Sequence, residues 1–537
     1  MSSQIAAHIR RRRTFAIISH PDAGKTTLTE KILLYAGAIH LAGSIKSRRA
    51  DRHVSSDWMA IERERGISVT SSVLQFPYEG TQCNLLDTPG HADFGEDTYR
   101  TLLATDSAIM LLDNAKGIEA RTRKLFDVCR LRKIPVVTFV NKCDREGMDP
   151  LSLLSSIEQE LGIATVPVNW PMRTARGFVG VYDRERREAQ LFSGGRHGTE
   201  IADETVLADG DPALAELLGD RGLSDLRGAL ELLDAAGDAF EPARFLAGEQ
   251  TPVFFGSAAT NFGVRPFLRR FVDLAPSPSD RATRSGALRP AAGAAFSGFV
   301  FKIQANMDPS HRDRLAFVRV CSGRFTKGMS VRIPRADKPV RLANAFQVLG
   351  RDRVQVEEAF AGDVLGLVDT NRLFRIGDTL SDGEAEPFAA VPRFAPEVFA
   401  TVRPAEPIRR RHMLDGLRQL AEEGAVQLFQ RRDQGPIDPI VAAVGALQLE
   451  VLKHRLENEY ATAVHIEHIG YSHARWVVGA EAELRRVGGM KVEDDEGRPV
   501  VLLQDDWALG WAERQHPEVK FLATSPADQP AQDPRAA

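Results

Sequence analysis

The chain has 537 residues, room for roughly three to four domains at about 150 residues each. Its apolar content of 43%, charged content of 26% and net charge of −4 are those of an ordinary globular protein, which excludes a chain-wide basic field and leaves any nucleic-acid contact to local patches. Four scattered cysteines (Cys83, Cys129, Cys143, Cys321) lack metal-ligand spacing and read as reduced thiols, and no apolar run approaches the ~20 residues that span a bilayer.

The first segment, HIRRRRTFAIISHP, briefly has the charged and apolar regions of a signal peptide. The apolar part is too short, and His20, Pro21 and Asp22 end it. A cytoplasmic protein with no membrane attachment is expected. From Thr14 to about Leu274, the runs FAIIS, CNLLD, SAIMLLD, PVVTFV and TPVFFGS read as buried strands. GKTTLTEKILLYAG and EARTRKLFDVCRLRK carry helical spacing between them. This alternation predicts βαβ units and a mostly parallel sheet. Between about Trp170 and Gly248 the pattern loosens and assigns nothing.

The stretch 275–295, rich in Pro, Ser, Gly and Ala, reads as a linker. FSGFVFKIQ, LAFVRVCSG, MSVRIP and VLGLVD then form short strands at turn-rich intervals, predicting a small β-barrel to about Asp382. After Pro392, the helix IRRRHMLDGLRQLAEEG, the strands AVQLFQ and IVAAVG and the helix ALQLEVLKHRLENEY suggest an α+β sandwich. The expected fold is α/β: a P-loop nucleotide domain over 1–280, a β-barrel over 281–390, the α+β domain over 391–480, and an extension over 481–537 whose tail, ATSPADQPAQDPRAA, is expected to be disordered.

The strand FAIIS, the loop HPDA and GKTT opening a helix make a phosphate-binding corner, although Ser19 stands where the usual pattern has its first glycine. Consecutive backbone N–H groups and a helix N-terminus bind oxyanions. Lys25 would reach the β- and γ-phosphates, Thr26 would supply a hydroxyl to Mg²⁺, and Gly24 permits close backbone approach. Asp87 ends a strand 62 residues later, where a water-mediated Mg²⁺ contact belongs. Gly90 could offer its N–H to a γ-phosphate.

Asp144, after the strand VVTFV, can accept two hydrogen bonds from the N1–H and N2-amine edge of guanine. Adenine would leave that carboxylate unpaired, which is costly. Asn141 and Lys142 would fix the base and its stacking face, and in FGSAA (255–259) the Ala258 N–H could reach the guanine O6, next to Ser257. The run Glu62-Arg63-Glu64-Arg65 reads by default as a solvated helix face. The following Gly66-Ile67-Ser68 suits a loop that folds over the nucleotide and places the Ser68 hydroxyl on Mg²⁺. His91, next to Gly90, is positioned to orient an attacking water. Together these motifs predict a GTP site.

AGKTT, RGIS, DTPGH and NKCD together resemble the translational GTPases that act on the ribosome. Within that class, SHPDAGKTT, SDWMAIERERGISVTSSVLQFPY, DTPGHADFGEDTYRTL and FVFKIQANMDPSHRDRLAFVRVCSG resemble the class II release factors, the peptide chain release factor 3 family, from about Thr14 to about Val478. Ser19 is that family's form of the loop. The resemblance implies a ribosome-stimulated GTPase that removes or recycles class I, codon-reading release factors after peptide release. It implies a nucleotide site over Ser19, His20, Pro21, Asp22, Ala23, Gly24, Lys25 and Thr26, over Asp87, Thr88, Pro89, Gly90 and His91, and over Asn141, Lys142, Cys143 and Asp144. GTP or GDP with Mg²⁺ would be the ligands, the ribosome and class I factors the partners, and a monomer the working form. Ser68 departs from the more usual threonine but keeps the hydroxyl; Ala259 stands where some GTPases carry Lys or Leu. A translocase resembling elongation factor G would need further domains, which are not expected in a chain of this length. A GTP-dependent binding protein without hydrolysis is the reading from another class, and His91 argues against it.

Overall fold

The structure is a computed structural model and describes residues 2–39, 71–89, 91–174, 177–193, 201–305, 314–336, 338–349, 352–431, 439–480 and 484–526. After a short N-terminal helix, α1 (Ser2–Arg10), the apolar runs form strands where the sequence predicts them: β1 (Arg12–Ser19), β3 (Thr81–Asp87), β4 (Ser107–Asp113), β5 (Val136–Asn141) and β11 (Gln250–Phe255). β2 (Ser72–Tyr78) and β6 (Ala164–Pro167) complete a seven-stranded sheet in the order β2-β3-β1-β4-β5-β11-β6. β2 pairs antiparallel with β3, and the other strands run parallel.

Alternate residues of β1 point to opposite faces of the sheet, so both faces need cover. Phe15 and Ile17 pack with Leu28 of α2 (Lys25–Tyr35) and with Phe267 and Phe271 of the helix Val264–Leu274. Ala16 and Ile18 lie in the opposite core with Phe126 and Leu153, from the helices Ala120–Leu131 and Pro150–Leu161. The helix Gly95–Leu102 follows the β3 loop.

The stretch that the sequence left unassigned is an antiparallel meander, β7 (Asn169–Thr174), β8 (Gly177–Asp183), β9 (Glu188–Ser193) and β10 (Asp203–Ala208), in the order β10-β9-β8-β7. A helix over Pro212–Ala236, capped by Asp211 accepting from the Ala213 N–H at 2.9 Å, follows it and sends Leu214, Leu226 and Leu233 into the same core.

Residues 275–295 are not the free tether their composition suggests. Arg281–Ala282 pairs with Leu288–Arg289 as a small hairpin. Ser279 N–H and hydroxyl both donate to Asp106 at 3.2 Å, and Arg281 donates to the Leu103 carbonyl at 2.7 Å with its guanidinium 3.9 Å from the Phe299 ring centre. The next segment folds as a six-stranded antiparallel sheet with two short two-stranded ribbons, around Val300, Ile303, Val318, Val320, Phe325 and Leu365. Its strands Ser297–Ala305 and Arg314–Ser322 are buried on both faces, because Phe299, Phe301 and Phe317 pack into the nucleotide-domain core.

A polar seam joins these two units. The Gly362 carbonyl accepts from Thr14 Oγ1 at 2.6 Å, Asn84 Nδ2 at 3.0 Å and Arg319 Nη1 at 2.7 Å, while Gln75 Nε2 donates to the Val364 carbonyl at 3.1 Å. Arg319 also pairs with Asp106, both buried.

The last region is an eight-stranded sheet running from Val398 to Leu522. The helices Arg410–Glu422 and Ala446–Asn458 cover one face through Met413, Leu417, Leu449 and Leu456. The sheet crosses the boundary expected at 480: the strand His473–Val478 pairs with both Pro499–Leu503 and Lys520–Leu522. The expected disordered tail also begins in structure, since Ala395 N–H donates to the Ala523 carbonyl and Ser525 N–H to the Arg393 carbonyl, both at 2.9 Å. No helix among the described residues is long and apolar enough to cross a membrane. All four cysteines are free and buried.

Candidate functional site

β1, β3, β5 and β11 all end on the same edge of the sheet, and the predicted site residues sit on the loops leaving it. In an open parallel sheet this is where ligands bind. β1 ends at Ser19, and the loop to α2 turns through Asp22 (φ 67°) and Gly24 (φ 99°). Such left-handed residues bend the backbone into a concave run of N–H groups, and glycine takes the conformation without strain. Gly24 is also needed for space, because a Cβ there would overlap the Asn141 side-chain amide. The Ser19 hydroxyl is buried and has no hydrogen-bond partner among the described residues, and neither has His20 Nδ1; His20 Nε2 lies 3.2 Å from Glu119. Thr26, on the first turn of α2, is half-buried. Lys25 Nζ contacts Asp87 Oδ1 at 2.7 Å, both side chains buried.

The NKCD loop closes over the phosphate loop from the other side. Asn141 Nδ2 donates to the Ala23 carbonyl and its Oδ1 accepts from the Ala258 N–H, each at 2.8 Å, so one amide ties three loops together. That use of the Ala258 N–H means a guanine O6 there would share the donor. Lys142 (φ 65°) donates to the Asp22 carbonyl at 2.6 Å and to Asp113 at 2.8 Å. Burial alone would raise the Asp113 carboxyl, but the Lys142 ammonium and the Ala115 N–H outweigh it and hold it below the usual range. Asp113, at the end of β4, was missed in the sequence; its place at the end of SAIMLLD was the available signal. Cys143 is buried beneath the loop, and Ser257 Oγ donates to Asp144 Oδ1 at 2.6 Å, orienting that carboxylate.

After β3, Thr88 Oγ1 donates to the Ile17 carbonyl at 2.7 Å, and the Pro89 carbonyl lies 3.5 Å from both Thr98 Oγ1 and Arg121 Nη2. Arg121 was not anticipated either. Burial pulls its guanidinium down to about 10, against the opposing pull of the Asp93 carboxylate. Gly90, Ser68, Arg63 and Arg65 lie outside the described residues. His91 is 39% exposed, with Nδ1 3.3 Å from the Asp93 N–H and 3.2 Å from Asp93 Oδ1. Ser71 is gripped from two directions. Its N–H and hydroxyl donate to Asp97 at 2.9 and 2.7 Å, and Lys302 of the barrel donates to its carbonyl and, at 3.0 Å, to its hydroxyl. Burial would raise the Asp97 carboxyl, but Lys302, Arg100 and the Ser71 bonds outweigh it and hold it low.

Among the described residues, no three His, Cys, Asp or Glu side chains are grouped to hold a metal.

A peptide chain release factor 3 from Symbiobacterium thermophilum is 52% identical over 97% of this chain and 99% of its own length. The chain belongs to the peptide chain release factor 3 family. Release factor 3 proteins from Gloeobacter violaceus and Trichodesmium erythraeum are 50% and 49% identical over 97% and 98% of the chain. Residues 10–277 match the elongation factor Tu GTP binding domain, 295–383 elongation factor G domain 2, and 388–513 the class II release factor RF3 C-terminal domain. A solved structure from Thermus thermophilus shares the fold, with a TM-score of 0.69 over 90% of this chain and 72% of its own at 24% identity. As a release factor 3 family member, the chain is a translational GTPase of termination that binds guanine nucleotide and works with the ribosome.

Proposed function

We propose that this chain, as a cytoplasmic monomer, promotes dissociation and recycling of class I release factors from the ribosome after peptide release, driven by GTP binding and ribosome-stimulated hydrolysis. In this reading the backbone N–H groups of residues 19–26 and the Lys25 ammonium hold the β- and γ-phosphates. Asp144, pre-oriented by Ser257, accepts the N1–H and N2 amine of guanine, and Asn141 and Lys142 keep that corner closed. Thr26 and Ser68 would hold Mg²⁺, with Asp87 acting through a water; when bound, the ion neutralises charge on the phosphates. His91 orients the water that attacks the γ-phosphorus, breaking its bond to the β–γ bridging oxygen and leaving GDP and phosphate.

The observation that carries the reading is Ser71. It lies three residues after Ser68 in the sequence and is held by Asp97 of the nucleotide domain and Lys302 of the barrel. Movement of that loop with the γ-phosphate would pull on two domains, and so turn nucleotide state into a change of shape on the ribosome.

The test is the rate at which a labelled class I factor leaves post-release ribosomes, with and without this protein and GTP. Faster loss only with protein and GTP is expected. A rate unchanged by the GTP-loaded protein would overturn the proposal.

A further inference from the structure

Two glycines of the third domain leave space for side chains of the nucleotide domain. A Cβ on Gly424 would overlap the Arg100 guanidinium, which donates to the Gly424 carbonyl at 3.3 Å. A Cβ on Gly445 would overlap the Asp93 carboxylate. Gly445 has φ −148° and ψ 166°, an extended conformation open to any residue, so the neighbouring carboxylate alone makes a side chain costly there.

Gly445 precedes the helix Ala446–Asn458, whose first-turn N–H groups have no acceptor within the helix. Asp93 Oδ2 accepts one of them, from Leu447, at 2.8 Å and across 354 residues of sequence. The helix is thus capped by a carboxylate from another domain. The second oxygen of that carboxylate, Oδ1, lies 3.2 Å from His91 Nδ1. With a proton on Nδ1 the imidazole donates to Asp93; without it, Nδ1 accepts the Asp93 N–H at 3.3 Å. Either bond engages Nδ1, so Nε2 is left outward, as an acceptor in the first case and a donor in the second.

We propose that Asp93 is a positioning residue for His91 and is itself held by the third domain. Seating the Leu447 N–H on Asp93 sets the imidazole, so a shift of the third domain re-aims it. Contact between the ribosome and the third domain could then change hydrolysis without touching the nucleotide. The inference rests on the reading of His91 as the water-orienting group.

Single-turnover phosphate release by the full-length protein, with and without purified ribosomes, tests it. Gly445→Ala disturbs the contact from the third domain, and Asp93→Asn keeps an acceptor for Leu447 while removing the charge at His91. Each should lower the ribosome-stimulated kcat about tenfold, the scale of a typical coupling between sites. GTP and GDP affinity and the KM for ribosomes should not change. Because both act on one contact, the double variant should be no slower than the slower single variant. A folded Gly445→Ala protein at the wild-type stimulated rate, or effects that multiply, would overturn the proposal. If Gly445→Ala does not fold, an unchanged kcat in Asp93→Asn overturns it alone. His91→Ala in the same assay separates the two readings: wild-type hydrolysis there removes His91 itself, whereas loss there with an unaffected Gly445→Ala removes only the coupling.

Discussion

Lys25 and Asp87 form a buried ion pair at 2.7 Å across the mouth of the phosphate loop, with 7% and 2% of their surfaces exposed. Lys25→Ala should destabilise the nucleotide-free protein by about 3–5 kcal/mol, the scale of removing one partner of a buried ion pair. Adding Asp87→Asn should restore part of the loss. Denaturant unfolding compares the three, and a single variant as stable as wild type would show the pair to be dispensable.

The Ser257 hydroxyl donates to Asp144 Oδ1 at 2.6 Å and fixes the carboxylate that we propose accepts guanine. Asp144→Asn should weaken GTP binding by about 2–4 kcal/mol through loss of two charge-assisted bonds. It should also shift preference towards xanthosine triphosphate, whose C2 carbonyl accepts the new amide donor. Nucleotide titration with both triphosphates measures this, and wild-type GTP affinity would contradict the guanine contact.

His91 is partly exposed and engages Asp93, and among the described residues no bond ties it to the phosphate loop. His91→Ala should therefore bind GTP and GDP as wild type does and still reach the ribosome. It should lose stimulated hydrolysis on the order of 10²-fold, as expected for a group that acts only in the transition state. Stopped-flow phosphate release decides it, and a variant at the wild-type stimulated rate would exclude His91.

Arg409 and Arg411 are exposed beside Ile408, itself 85% exposed, at the start of a third-domain helix. If this corner meets ribosomal RNA, replacing Arg409, Arg410 and Arg411 with Gln should flatten the salt dependence of ribosome binding by about 0.7–0.9 log units for each phosphate left without its cation. An unchanged slope would make the cluster ordinary surface.

Burial pushes the Cys83, Cys129 and Cys143 thiols up to about 12 and raises Cys321 as well. A thiolate-selective colorimetric reagent at pH 8 should leave all four unreacted in the native protein and titrate all four in denaturant. Rapid native labelling would contradict their burial.

The loops after β1, β3 and β5 that form the proposed nucleotide site were legible because each is a short contiguous motif at the end of an apolar run. β2 was not: Ser72 and Gln75 make it look like a loop. Gln75 is accommodated because it donates to Asn84 on the neighbouring strand at 2.7 Å and to the Val364 carbonyl of the barrel at 3.1 Å. β10 was invisible for the opposite reason, since DETVLA is almost wholly exposed and is a strand only through its pairing with β9. The linker over 275–295 has the composition of a tether, yet Asp106 and Leu103 hold it down. Asp93 could not be read as a cap, because the helix it caps lies hundreds of residues further on. Local pattern reveals local structure; groups satisfied across domains leave no trace in it.

The seam on Gly362 and Val364 has a consequence for synthesis of the chain. Asn84 and Gln75 find their acceptors 278 and 289 residues downstream. At about 5–20 residues per second, the emerging nucleotide domain waits roughly 15–60 s for them. During that interval the amides that will be sealed inside the finished molecule are hydrated, and the β2–β3 edge lies open. The first domain is thus born with an unfinished side, and the barrel, arriving later, completes it.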